Sequence, residues 1–424
     1  MGTLSCRERM ISTATLWVAS LLVLFPMRRR LVGGFMAEYR TPRFTKARTR
    51  LRWNRNTLGS VNTRIPTASS GTARQIVRLF AQSQQTDKIH IHDEDEQQQK
   101  CSLPTVASIL TTSYLDLVSV EVPEPEESVI HLLSTALDLP WETGYRDLRK
   151  ILMRPQSQSI PSSNNLLANQ VLTAVQFKTY QALLVRRKTM EPIQYLTGQW
   201  DFLDYVLTVR HPLLCPRPET EELVELVRED LATLAAKNNS DRCRLRILDV
   251  GCGTGCIGVS LAAKLPNSFV EAIDVEHVAV ATATENAERV LGAQYQARFN
   301  AQLCEAEVFD VATVQDRFDA VVSNPPYIPR ADMGTLETTV VDFESETALC
   351  GGEDGLDVVR SIVKKLPFWC VENAVCWMEV DPTHPALLRK WLESDCSLGV
   401  VFVHTYRDLY GNDRFVKLRV TRTK

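Results

Sequence analysis

The chain contains no Cys-x-x-Cys pair, although its 11 cysteines run from Cys6 to Cys396. That excludes paired-thiol zinc modules and thioredoxin-like redox motifs. Cys252 and Cys256 stand four apart with no second Cys/His pair, so no metal site is expected. The scattered thiols fit a reducing compartment, buried as small hydrophobes. There is no basic excess either. Lys and Arg number 48 against 51 Asp and Glu, a net charge of -3, which argues against a chain that neutralises many phosphates along its length. The apolar run from Ile11 to Pro26 falls short of the roughly 20 residues that span a bilayer. No internal repeat is visible. What remains is ordinary: 424 residues, 44% hydrophobic and 23% charged, enough for two or three folded domains.

Charge is unevenly spread. Met1 to Arg74 holds fourteen Arg/Lys and two acids, Glu8 and Glu38. Basic, hydroxyl-rich, acid-poor leaders have the composition of organelle import segments. The expected location is the mitochondrial matrix, with the cytoplasm as alternative. A membrane anchor at Ile11–Pro26 is the weaker reading. The polar stretch His92 to Lys100 reads as a linker, because such a run cannot bury enough apolar area to order itself. Residues 1–100 are therefore assigned to leader and linker.

From Leu103 to Met190 apolar residues recur at helical spacing, as in Val129, Leu132, Leu133, Ala136 and Leu137. Prolines 123, 125, 140, 155 and 161 cut the stretch into short pieces. A small helical domain is expected over 101–190, then a β-hairpin linker over 191–218. From 219 to 424 strands and helices alternate. Strands are expected at Arg246–Val250, Phe269–Asp274, Phe318–Ser323, Val375–Val380 and Phe415–Val420. Such alternation predicts an α/β fold with a parallel, doubly wound sheet and ligands at the carboxyl ends of its strands.

Three motifs sit at such ends. Asp249-Val250-Gly251-Cys252-Gly253-Thr254-Gly255 leaves a strand and enters a helix. Glycines let the backbone approach a ligand and take positive φ, and a helix start offers free N–H groups. The spacing off the strand is Gly-x-Gly-x-Gly, and no Lys-Ser/Thr pair follows to make a phosphate loop. Asp274 ends the next strand, 23 residues after Gly251. A carboxylate there suits the two hydroxyls of a ribose, and equally an N-cap. Together with the loop it reads as nucleoside binding. Asn324-Pro325-Pro326-Tyr327 follows the strand ending at Ser323. Two prolines stiffen the turn. The Asn324 amide oxygen and the Pro325 carbonyl are acceptors suited to the two hydrogens of an NH2 group, and Tyr327 offers a flat face.

These motifs resemble the class I S-adenosylmethionine-dependent methyltransferases that act on planar amino groups. More narrowly, residues 105–424 resemble the HemK/PrmC release-factor glutamine methyltransferases, in their mitochondrial eukaryotic branch. Further segments carry the likeness: Glu191 to Gly198 with Phe202, Pro216-Arg217-Pro218-Glu219-Thr220-Glu221, Phe343-Glu344, Gly351 to Leu356, and Asp408 to Arg414. The resemblance implies S-adenosylmethionine as cofactor, held by Gly251, Cys252, Gly253, Thr254, Gly255 and Asp274. Phe309 or Asp310 would lie near the adenine, and Asn324 near the methyl group. It implies a class I peptide-chain release factor as partner, methylated on the glutamine of its Gly-Gly-Gln loop. Asn324, Pro325, Pro326 and Tyr327 would hold that glutamine, Phe202 would wall the pocket, and the helical domain would grip the factor. Arg330–Gly352 reads as a segment able to close over the substrate. The competing readings are a DNA adenine-N6 methyltransferase, which needs a basic groove to extract a base, a glutamine methyltransferase of a ribosomal protein, and a non-catalytic assembly factor.

Overall fold

The computed structural model describes residues 103–153, 162–237 and 244–422. The leader, the Ile11–Pro26 run and the 92–100 linker lie outside the described residues. Among the described residues no helix is long and apolar enough to cross a membrane.

The amino-terminal part is helical: α1 (Val106–Ser119), α2 (Pro125–Ala136), α3 (Trp141–Leu152), α4 (Ser162–Asn169), α5 (Ala174–Lys188) and the short α6 (Ile193–Thr197). Thr105 caps α1 through the N–H of Ser108, and a Thr173/Gln176 capping box starts α5. Val106, Leu110, Leu117, Ile130, Leu133 and Tyr180 form the shared core. Arg187 is buried there, its hydrogen bonds made to a hydroxyl and to backbone carbonyls. It donates to Ser128 Oγ at 2.9 Å, the Glu191 carbonyl at 2.9 Å and the Pro123 carbonyl at 2.7 Å, so its donors are met by the chain itself.

A hairpin, β1 (Gln199–Phe202) and β2 (Tyr205–Thr208), joins this part to the sheet. Asn286 clamps it. Its side chain accepts from Thr208 N at 2.7 Å and donates to the carbonyls of Thr208 and Thr254.

There follow α7 (Pro218–Lys237), β3 (Leu245–Val250), α8 (Cys256–Lys264), β4 (Ser268–Asp274), α9 (His277–Leu291), β5 (Phe299–Leu303), β6 (Phe318–Ser323), α10 (Asp357–Trp369), β7 (Cys370–Glu379), α11 (His384–Ser394), β8 (Val400–Arg407) and β9 (Asp413–Val420). The seven-stranded order is β5-β4-β3-β6-β7-β9-β8. The expectation of a parallel sheet holds from β5 to β7 and fails at the far edge. There β9 pairs antiparallel with both β7 and β8; toward β8 a connection as short as 408–412 can only reverse the chain. The sheet is mixed. β5 and β8 were not expected from the sequence. β5 alternates apolar and polar over only five residues, too short a run to stand out, and β8 opens on a largely exposed apolar run without alternation.

Chain order decides where a ligand can sit. The chain steps outward from β3 through β4 to β5, then returns so that β6 lies against the other side of β3. The crevice at that reversal is the expected site in open α/β sheets. Register sharpens the point. Val250 pairs with Ile273 on one side and Ser323 on the other. Gly251, Asp274 and Asn324, one residue further on, therefore leave the sheet at one level.

Candidate active site

The glycine turn is closed upon itself. Gly251 and Cys252 both donate to the Ile273 carbonyl, Gly255 N donates to Cys252 O at 2.7 Å, and Gly253 N donates to Asp274 Oδ2 at 2.8 Å. Gly251, Gly253 and Gly255 all have positive φ. A Cβ on either of the first two would meet only open space, whereas one on Gly255 would lie 2.8 Å from Ala283 Cβ. The first two thus leave a surface bare, and the third allows α9 to approach. One N–H of the helix start expected to offer free donors, that of Gly258, is already occupied. Asp249 Oδ2 accepts from Gly258 N at 2.8 Å. A carboxylate in that place excludes a phosphate from it, by charge and by volume.

Asp274 takes two backbone donors, Gly253 N on one oxygen and Glu276 N on the other, the latter at 2.9 Å. Burial raises its carboxyl above the ordinary range. The carboxylate has acceptor capacity beyond these contacts for hydroxyl donors.

The Asn324 turn is held from three sides. Ser323 Oγ donates to Val250 O at 2.7 Å, binding it to the glycine turn. Asn324 Nδ2 donates to Thr220 Oγ1 at 3.2 Å, and Thr220 Oγ1 donates to Glu379 Oε2 at 2.8 Å. Behind Pro326 and Tyr327 lies the Gly351–Leu356 segment. A Cβ on Gly351 would sit 2.6 Å from the Pro326 carbonyl oxygen, and one on Gly355 would strike the Tyr327 carbonyl. Those glycines let backbone pack on backbone. The Arg414 guanidinium lies over the Tyr327 ring at 5.9 Å, and burial pushes the Tyr327 phenol up.

Family profiles match the chain in two places: the methyltransferase small domain over residues 231–344 and the PrmC N-terminal domain over residues 162–198. The human MTRF1L release factor glutamine methyltransferase is 36% identical over 272 residues, covering 62% of this chain and 77% of that protein. The chain belongs to the release factor glutamine methyltransferases. A member from Flavobacterium psychrophilum is 33% identical over 253 residues, covering 58% of this chain and 82% of its own length. Among solved structures, a release factor-specific protein-(glutamine-N5) methyltransferase from Alicyclobacillus acidocaldarius is 25% identical over 49% of this chain and 94% of that one, with a TM-score of 0.28.

The cofactor of this methyltransferase is S-adenosylmethionine, and the residues fit it. Asp274 suits its ribose, and the bare glycine surface suits close approach. Asp249 Oδ1 is buried with no partner among the described residues. An unsatisfied acceptor beneath the turn calls for a donor, which the amino group of the cofactor's amino-acid end can supply.

Several expected contacts change on folding. Phe202 is 1% exposed, packed in the core with Leu207, Leu223 and Trp377. It has no open face with which to wall a pocket. Phe309, 7% exposed, turns inward too. Its ring meets Trp369 edge-on at 5.7 Å and its carbonyl accepts from Trp369 Nε1. Asp310 faces out and accepts from Val311 N. The apolar surface on that turn is Val308, 67% exposed, which sequence reasoning passed over. The side chains of Cys252 and Thr254, expected at the cofactor, are buried. Arg330–Gly352 is no free flap. Glu344 pairs with Arg217 at 2.8 Å and accepts from Cys215 N, Ser345 N donates to Pro212 O, and Arg330 N donates to Gly352 O at 2.8 Å. Among the described residues no group of three His, Cys, Asp or Glu is placed to hold a metal ion.

Proposed function

We propose that the chain methylates N5 of the glutamine in the Gly-Gly-Gln loop of a class I peptide-chain release factor, and that it does so in mitochondria. The observation that carries the reading is the common level of Gly251, Asp274 and Asn324 across three neighbouring strands, which sets a cofactor surface beside a pair of amide acceptors. When bound, S-adenosylmethionine supplies an already activated methyl group on a sulfonium. The task left to the protein is alignment.

A glutamine amide is a poor nucleophile because its lone pair is shared with the carbonyl. Asn324 Oδ1 and the Pro325 carbonyl accept its two hydrogens and hold the nitrogen facing the methyl. Pro325 and Pro326 fix the spacing of these acceptors. Tyr327 packs along the amide plane. With the methyl donor bound, the methylated nitrogen would be acidic enough to lose its proton to water, so the residues at the turn supply alignment and no dedicated base. The helical part, through α1–α5, would engage the release factor away from the reacting atoms. The basic, acid-poor composition of residues 1–74 supports the organellar setting.

The test uses the chain with a recombinant release factor and S-adenosylmethionine, read by intact mass and fragmentation. One added methyl on the Gly-Gly-Gln glutamine is expected. Cofactor binding without methylation of the factor would overturn the substrate, and adenine in DNA or a ribosomal protein would be assayed next.

A further inference from the structure

We infer that Thr220 and Glu379 are positioning residues that decide which end of the Asn324 amide faces the substrate. The inference rests on the reading of Asn324 as an acceptor for the glutamine NH2. An asparagine amide has a donor end and an acceptor end of nearly equal size. Only the acceptor end serves that chemistry, so something must forbid the flipped arrangement.

The structure supplies it from two other elements. Thr220 lies in the first turn of α7 and Glu379 is the last residue of β7. Ser323 pairs with Met378, which brings Glu379 level with Asn324. Both Thr220 and Glu379 are 2% exposed, so water does not compete. The Thr220 hydroxyl has one hydrogen, and it is spent on Glu379 Oε2 at 2.8 Å. Toward Asn324, 3.2 Å away, that oxygen can only accept. Asn324 must therefore turn its NH2 inward, toward Thr220. A flipped amide would set oxygen against oxygen in a dry site and leave both unsatisfied. Oδ1 is the end not committed to this network.

Glu379 makes little sense as a stabilising residue. A buried carboxyl is costly unless matched, and its neighbours along the chain, Met378 and Val380, are apolar and buried. The nearby cation, Arg414, spends its guanidinium on Asp408 and the Val380 carbonyl. Burial pushes the Glu379 carboxyl up to about 7. The group at the strand end is the acceptor that fixes the Thr220 hydroxyl.

The test compares Thr220→Val, which keeps shape and loses the hydroxyl, with Thr220→Ser, which keeps the hydroxyl. Methyl transfer to the release factor is measured with the full chain, alongside cofactor affinity by calorimetry and thermal unfolding. Thr220→Val is expected to lower kcat about 10- to 100-fold, the scale of a misplaced reacting group. Cofactor affinity and KM for the factor should change less than about twofold, and Thr220→Ser should stay within about threefold of wild type. If Thr220→Val fails to fold, Glu379→Gln takes its place. Its new NH2 competes with that of Asn324, and the same loss in kcat at constant cofactor affinity is expected. Wild-type kcat in Thr220→Val, or equal losses in the Val and Ser variants, would overturn the positioning role alone. Absence of transfer by the wild-type chain would overturn the substrate reading and this inference with it.

Discussion

Two turns leave neighbouring strands at the same level and are built by opposite means. The turn after β3 uses glycines at positive φ and closes its own N–H groups on Ile273, Cys252 and Asp274. What it presents is a bare backbone surface. The turn after β6 uses two prolines, which have no N–H to close, and presents acceptors. Its shape is imposed from outside, by Ser323, Thr220, Glu379 and the backbone of Gly351 and Gly355. A cofactor with no phosphate needs contact surface. A substrate amide needs two acceptors at a fixed distance. The difference between the turns follows from that difference in ligand.

The sharpest way to break the comparison is Asn324→Ala. If the second turn serves only the substrate, kcat should fall by about a thousandfold, as for the loss of one preorganised polar contact, while cofactor affinity stays within about twofold. Equal loss of both, measured by methyl transfer and calorimetry, would make the two turns one functional unit. Next in size are Gly351→Ala and Gly255→Ala. The first drives a methyl toward the Pro326 carbonyl and should lower kcat about 10-fold or more with cofactor affinity nearly kept. The second combines positive φ with a contact on Ala283. It should cost about 2 kcal/mol of stability and weaken the cofactor. An exchange of these two patterns would refute the division of labour.

The smallest effect is on pH. Asp249 and Glu379 are both pushed up to about 7 by burial, from ordinary values of 3.8 and 4.5. Between those limits the folded chain binds protons that the unfolded chain has released. The stability these two carboxyls contribute is therefore present at low pH and lost as pH rises through 7. In the helical part the sign is reversed. His131 stacks on Trp141, Tyr145 and Trp200 at 4.8, 4.8 and 5.1 Å, and burial lowers it to about 4. Its contribution is present above 6.5 and lost as pH falls toward 4. Denaturation followed at pH 5 and pH 8 should show Glu379→Gln flattening the alkaline loss and His131→Phe the acid loss. Reversed slopes would contradict the burial assigned to each group.

Much of the site was legible because it is local. Glycine and proline spacing at a strand end is a property of a few adjacent residues, and Phe318–Ser323 with its Asn-Pro-Pro-Tyr turn is found where periodicity placed it. The segments Pro216–Glu221 and Gly351–Leu356 stood out only by resemblance. Their reasons appear when the chain closes: Arg217 on Glu344, Glu221 on Leu203 N, and glycines against the Pro326 and Tyr327 carbonyls. Phe202 and Phe309 entered as site residues through the family resemblance, which gives no sign of which way a ring turns in this chain. Packing turned both inward.

By itself the sequence determined the α/β alternation, the two contrasting turns and the carboxylate at the end of β4. Each depends on local spacing and backbone preference. Only the tertiary structure decided that β9 enters antiparallel, that β6 returns beside β3, and that Thr220, Asn324 and Glu379 meet. Those three lie 104 and 159 residues apart along their two hydrogen bonds. Such contacts are set by strand order and burial, which no local pattern encodes.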